Sequence, residues 1–198
     1  MKADSKKRRA LQRRLDIARA AAGVFRRRGF AAATTEDIAG ALGMTKGSLY
    51  YWFRDKTDIL DFCQHYSLDR MLADAARIRR SGAPPAARLR DLIRSQMALM
   101  LDELAGTAAH TQTDALDRRR WRRLVVKRDR YEAELRRILE DGIRRGDFRK
   151  TDARTATRTI LGAVNWTVTW FRAGGPRTSE DVAADFAELF VDGLRKRG

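Results

Sequence analysis

The sequence predicts an all-α protein, an N-terminal three-helix unit followed by a larger helical domain, with about nine helices in all. Three observations predict it. Only three prolines occur in 198 residues. Alternating runs of β-branched residues are scarce, and apolar residues recur at three- and four-residue spacings nearly throughout, the period of helices that bury one face. A hydrophobic fraction of 43% beside 34% charged residues describes a chain that folds around a core. The length suits one or two domains, and the expected division is 1–54 and 55–198.

The elements follow in order. An arm rich in Lys6, Lys7, Arg8, Arg9, Arg13 and Arg14 leads into a helix whose stripe is Leu11, Leu15, Ala18, Ala22 and Phe25, ending near Gly29. Thr34 or Thr35 caps a second helix that carries Ile38, Ala39 and Leu42 and stops at Gly43. Thr45 caps a third ending near Phe53, and Asp55 a fourth running to about Arg80. The stretch SGAPPAA (residues 81–87) is a connection, with Pro84 or Pro85 suited to the first turn of a helix reaching about Leu104. A long helix is expected from about Thr113 to Arg145, closed by Gly146. Another runs from Asp152 to Ala173, before Gly174, Gly175 and Pro176, and Ser179 caps the last.

Composition narrows the function. With 42 Lys+Arg against 26 Asp+Glu the net charge is +16, so polyanions are the natural partners, although charge alone fits nucleic acid and an anionic membrane surface equally. No apolar run reaches membrane-spanning length, and the basic N-terminus continues into an amphipathic pattern rather than a signal-peptide core. A cytoplasmic protein without membrane partners is expected. Cys63 is the single cysteine, and His65 and His110 lie far apart, so neither a disulfide nor a metal or cofactor site is expected. No nucleophile–base pair, metal-ligand spacing or phosphate-cradling glycine loop is present, which argues against an enzyme.

Residues 34–56 read TTEDIAGALGMTKGSLYYWFRDK, and the spacing fits a helix-turn-helix. Ala39 is small where two helices cross closely, and Gly43 sits in the turn where a positive φ is needed. Ile38, Leu42 and Leu49 supply a small shared core. Together they orient Thr45 to Phe53 so that its first residues can enter a major groove. Thr45, Lys46 and Ser48 can donate to phosphates or base edges, and Gly47 permits close approach of DNA. Tyr50 and Tyr51 present hydroxyls on stiff rings, and Lys56 adds a phosphate partner at the next helix N-terminus. Trp52 and Phe53 are read as packing.

This segment resembles the TetR family, whose hallmark is an N-terminal three-helix unit with a T-x-x-I-A…G-x-x-x-G-x-[LI]-Y-x-[YH]-F run. Thr35, Ile38, Ala39, Gly43, Gly47, Leu49, Tyr50, Phe53 and Lys56 stand where that pattern wants them, and the match covers roughly residues 11–60. The resemblance implies DNA-contact roles for Thr35, Thr45, Lys46, Gly47, Tyr50, Tyr51 and Lys56. Trp52 departs from the frequent histidine. The resemblance further implies a homodimer on a palindromic operator, released when a small molecule enters the C-terminal domain.

In the C-terminal half, Val182, Phe186, Leu189, Phe190 and Gly193 form an apolar stripe on the last helix. The preceding helix is apolar on two sides, one with Ile160, Val164, Val168 and Phe171, another with Gly162, Trp166 and Thr169. In TetR-like proteins the last two helices form a four-helix dimer interface, which assigns Gly162, Phe186, Leu189, Phe190 and Gly193 to that surface. On the long helix Arg128 falls in a stripe with Leu124, Tyr131 and Leu135 and needs an anionic partner, either a carboxylate such as Glu103 or Asp102 or the head group of a ligand. Asn165, Trp166, Thr169 and Trp170 line a pocket or pack in the core.

The run Asn165-Trp166-Thr167, Trp170-Phe171-Arg172 and Gly174-Gly175 resembles TetR-like repressors of fatty-acid and sterol-side-chain degradation, which sense acyl-CoA thioesters. That resemblance implies an acyl-CoA effector, and an arginine-rich sensor half suits the phosphates of coenzyme A. Arg118, Arg119, Arg120, Arg122 and Arg123 either meet the nucleotide end or form a solvated face. The alternatives are another hydrophobic or anionic metabolite, or a DNA-binding protein with no effector.

Overall fold

The computed structural model of the chain describes residues 2–101, 115–172 and 174–196. Eight helices occur among them: α1 (Lys2–Ala32), α2 (Thr35–Ala41), α3 (Lys46–Trp52), α4 (Lys56–Arg80), α5 (Pro85–Leu101), α6 (Arg118–Arg145), α7 (Ala153–Trp170) and α8 (Ser179–Leu194). No strand is present among the described residues, only an isolated bridge between Phe148 and Arg195. The expected helix end near Leu104, the start at Thr113, Ala173, His110 and the carboxylates of Asp102 and Glu103 lie outside the described residues.

Most boundaries follow from local chemistry. Gly29 takes φ 75°, a conformation L side chains avoid, and breaks α1 where the sequence predicts. Thr34, not Thr35, caps α2 in a capping box with Asp37, and Thr45 accepts from the Ser48 N–H to open α3. Asp55 accepts from the Asp58 N–H at 2.7 Å at the head of α4. Pro85 is the first residue of α5, where its missing N–H has no intrahelical partner to lose. Asp117 opens α6 by accepting from the N–H groups of Arg119 and Arg120, both at 2.9 Å, so the described helix starts at Arg118. The last helix is capped by Thr178 rather than Ser179, because Thr178 forms a capping box with Asp181 and leaves Ser179 as the first helical residue. The helix before it ends at Trp170, short of the expected Ala173, with Phe171 as its extended C-cap.

The chain divides into two compact units. The first, within Met1–Tyr66 and Glu103–Trp121, has a core of Ile17, Ala21 and Phe25 from α1, Ile38 and Ala39 from α2, and Leu49 and Phe53, joined by Ile59, Leu60 and Cys63 of α4. Because the first turns of α4 are buried there, this unit extends past the expected cut at residue 54. The second, within Ser67–Asp102 and Arg122–Gly198, packs α5 along α8 and α7 around Leu89, Ile93, Met97, Leu135, Val164 and Val191. No described helix is long and apolar enough to cross a membrane.

Candidate nucleic-acid interface

The first unit presents α3 as its exposed edge. Leu49 is fully buried and Phe53 nearly so, pinning the helix to α1 and α4. Between these anchors Thr45, Lys46, Gly47, Ser48, Tyr50 and Tyr51 are all exposed, Tyr51 at 81%. Trp52 packs against the core and meets the Tyr51 ring edge-on at 5.1 Å, as its packing role predicts. Gly43 takes φ 61° in the turn between α2 and α3. A Cβ at Gly47 would meet nothing nearer among the described residues than Thr45 Oγ1 at 4.0 Å, so no contact with them requires glycine there.

Side chains on this face are tied to one another. The Thr35 hydroxyl bonds Glu36 at 3.0 Å and lies 3.4 Å from the Tyr50 hydroxyl. Glu36 pairs with the Lys46 ammonium, which also sits 5.7 Å from the Tyr50 ring centroid. Hydrogen bonding from Lys46 holds the Glu36 carboxyl below its ordinary value, and the same bond lifts the lysine. The Thr45 hydroxyl is shared between the Ser48 N–H and the Ser48 hydroxyl. The Lys46 cation and the Tyr50 phenol are therefore positioned on one surface with Thr35.

Lys56 differs from the sequence expectation. Its ammonium donates to the carbonyls of Phe30, Ala31 and Ala33, each at 2.8 Å, and lies 4.9 Å from the Phe30 ring centroid. An ammonium has three N–H groups, and all are spent on the orphan carbonyls where α1 ends. In this structure Lys56 is a clamp between α1 and α4 rather than a free phosphate ligand.

The residues expected to form an effector site separate into two groups. Leu124 and Tyr131 are buried in the second unit, where the Tyr131 hydroxyl donates to Gln96 Oε1 at 3.1 Å and Gln96 Nε2 donates to Asn165 Oδ1 at 3.2 Å. Burial pushes the Tyr131 phenol up and the half-buried Arg128 guanidinium down from their ordinary values. Gln96, itself 3% exposed, was not singled out by sequence, although a glutamine on an apolar stripe with Leu92, Ile93, Met97 and Met100 was a visible signal.

Trp166, Thr169 and Trp170 do not join that group. Trp166 is 66% exposed, the Thr169 hydroxyl returns to the Trp166 carbonyl, and the Trp170 ring stacks on Phe186 at 6.3 Å. They line the outward side of α7 beside Phe186, Phe190 and Leu189, the last 70% exposed. A Cβ at Gly162 or Gly193 would meet nothing within 4 Å among the described residues, which leave those positions open. Two open grooves flank this face. One, of about 320 Å³, is lined by Trp170, Pro176, Val182 and Phe186; the other, of about 310 Å³, by Thr155, Thr159, Leu189 and Phe190. Neither is lined by Leu124, Arg128, Tyr131 or Asn165.

Comparison with known proteins follows the same division. Residues 17–62 match the family described as bacterial regulatory proteins, tetR family, and residues 82–194 match the tetracyclin repressor-like C-terminal domain. The HTH-type transcriptional repressor KstR2 of Rhodococcus jostii (strain RHA1) is 30% identical over 193 residues, covering 92% of this chain and 91% of the relative. The solved structure of the ketosteroid transcriptional regulator KstR2 of Mycobacterium tuberculosis superposes with a TM-score of 0.85 at 28% identity, over 93% of this chain and 96% of its own. AibR in complex with isovaleryl coenzyme A and operator DNA is alike in fold, with a TM-score of 0.78 at 23% identity over 89% and 97% of the two chains.

Proposed function

The chain belongs to the TetR family of bacterial transcriptional regulators, and from that premise we propose that it is a repressor that binds a palindromic operator as a homodimer. The observation that carries the proposal is the row of exposed donors and phenols on α3, held by a buried Leu49 and Phe53 and interrupted by a glycine that no contact among the described residues explains. Thr35, Thr45, Lys46, Gly47, Ser48, Tyr50 and Tyr51 form the DNA-reading surface. One short helix contacts few bases, so two copies on two half-sites supply the specificity. The dimer surface is the outward apolar side of α7 and α8, where Gly162 and Gly193 allow helices of two protomers to cross closely and Trp166, Trp170, Phe186, Leu189 and Phe190 are covered.

The effector is an acyl-CoA thioester. The resemblance of the α7 segment to repressors of fatty-acid and sterol-side-chain degradation supports this choice, as does an excess of Lys and Arg that favours a polyphosphate ligand. In AibR the same fold holds isovaleryl coenzyme A and operator DNA, a likeness of fold alone. Arg128, Leu124, Tyr131, Gln96 and Asn165 form the other end of the site, where the Tyr131–Gln96–Asn165 chain runs from the buried phenol to the exposed Asn165, whose amide N–H groups are available to a carbonyl group. The protein acts in the cytoplasm, where its DNA is.

The test uses the full-length protein and an operator recovered by selection from random duplexes. The operator is preferred over unrelated duplex by a factor on the order of a thousand or more, and a panel of acyl-CoA thioesters is added to the complex. Release by at least one thioester supports the effector. No release and no thermal shift with any of them removes it, while equal affinity for all duplexes removes the operator reading.

A further inference from the structure

On α1 the cations Lys6, Arg9 and Arg13 fall at i, i+3 and i+7, one stripe of the helix. Lys6 and Arg9 are exposed, and none of the three enters an ion pair among the described residues. The carboxylate next along the helix, Asp16, is occupied by Gln12 at 2.9 Å and by Arg19 at 3.4 Å. The stripe is also anchored in direction. The Arg13 guanidinium reaches Met44 Sδ at 4.0 Å, and Met44 immediately precedes Thr45, the N-cap of α3. One end of the stripe therefore abuts the N-terminus of the recognition helix and the other runs outward from it.

We propose that the Lys6–Arg9–Arg13 stripe of α1 is a second DNA grip that holds the phosphate backbone outside the half-site read by α3. Seven helical residues span about 10 Å, or about three base-pair rises of B-form duplex. Lys7 and Arg8 point around the helix from this stripe and lie outside the contact. Phosphate contacts of this kind fix position and add affinity on any sequence, so the stripe strengthens binding without choosing bases. The proposal rests on α3 reading duplex DNA.

The experiment compares wild type, Lys6→Gln/Arg9→Gln and Lys7→Gln/Arg8→Gln on two duplexes, one trimmed flush with the palindrome and one extended by a helical turn at each end. Removing the stripe lowers the slope of log affinity against log salt on the extended duplex by about 0.9 for each cation lost, and lowers affinity on the order of tenfold. On the trimmed duplex the difference vanishes, the Lys7/Arg8 variant matches wild type on both, and thermal stability is unchanged. Equal slope losses for the two double variants, or a loss independent of duplex length, overturn the stripe and leave a diffuse charge effect. Lys46→Ala in the same titration judges the recognition helix separately, since its loss is expected on both duplexes. If selection recovers no operator, that earlier reading fails, and the salt slopes of the two double variants on one long random duplex still decide the stripe: a smaller slope for Lys6→Gln/Arg9→Gln alone supports it, and equal slopes overturn it.

Discussion

Replacing Lys56 with methionine keeps the aliphatic stem and removes the ammonium that closes α1. Three N–H···O bonds at 2.8 Å are lost, and the carbonyls of Phe30, Ala31 and Ala33 must find other donors. A hydrogen bond from a charged donor contributes about 1.5–3 kcal/mol when its loss leaves a buried group unsatisfied. Ala31 is exposed and Lys56 is half-buried, so water replaces part of the set. A net loss of about 2–3 kcal/mol follows, which for a chain of this size lowers Tm by about 5–10 °C. Thermal unfolding followed by far-ultraviolet circular dichroism measures it. Operator affinity falls as well, because the turn from α1 into the Thr34 cap loosens, but the salt slope stays at the wild-type value. An unchanged Tm together with a slope reduced by about 0.9 per protomer would refute the clamp and return Lys56 to the phosphate backbone.

Other outcomes follow from the same structure. A methyl group at Gly142 would lie 2.1 Å from Cδ2 of the buried Phe148 ring, so Gly142→Ala costs about 1–3 kcal/mol in denaturant titration; wild-type stability would show that the ring moves freely. Cys63 is 3% exposed and burial pushes its thiol up to about 12, so it resists an aromatic disulfide reagent at neutral pH until the protein is unfolded. Rapid labelling of the native protein would contradict that burial. Leu189→Asp places a charge in the outward face of α7 and α8 and converts the dimer to monomers in native mass spectrometry, with weaker operator binding; a dimer of unchanged mass would move the interface elsewhere. Gln96→Leu leaves the Tyr131 hydroxyl without its buried acceptor, lowering Tm by several degrees and shifting the acyl-CoA concentration needed for release. A changed Tm with an unchanged release curve would make Gln96 a structural residue only.

The helix-turn-helix was legible because its determinants are local and steric. A small Ala39, a positive-φ Gly43 and an apolar Ile38 and Leu49 at fixed spacing leave one way to pack, and the exposed row on α3 follows from it. Helix caps were legible to within a residue, as Thr34 against Thr35 and Thr178 against Ser179 show, since adjacent hydroxyls compete for the same role. What escaped were contacts across long sequence separations. Lys56 looks like any cation at a helix start until the fold brings the end of α1 to it. Trp166 and Trp170 sit on a helix apolar on two sides, and periodicity cannot say which side meets its own core and which remains for a partner. Gln96 was visible as a polar residue on an apolar stripe, but its partners Tyr131 and Asn165 come from other helices.

The central claim is that the exposed face of α3 reads operator DNA, and the most direct measurement is the operator affinity of Tyr51→Ala and Lys46→Ala beside their thermal stability. Tyr51 is 81% exposed, and Lys46 is exposed with its ammonium on the exposed Glu36 carboxylate and the exposed Tyr50 ring, so neither substitution should shift Tm. The account predicts a loss of affinity of about tenfold or more for each at wild-type Tm, with Tyr51→Ala also relaxing the preference for operator over unrelated duplex. Wild-type affinity in both variants would contradict it.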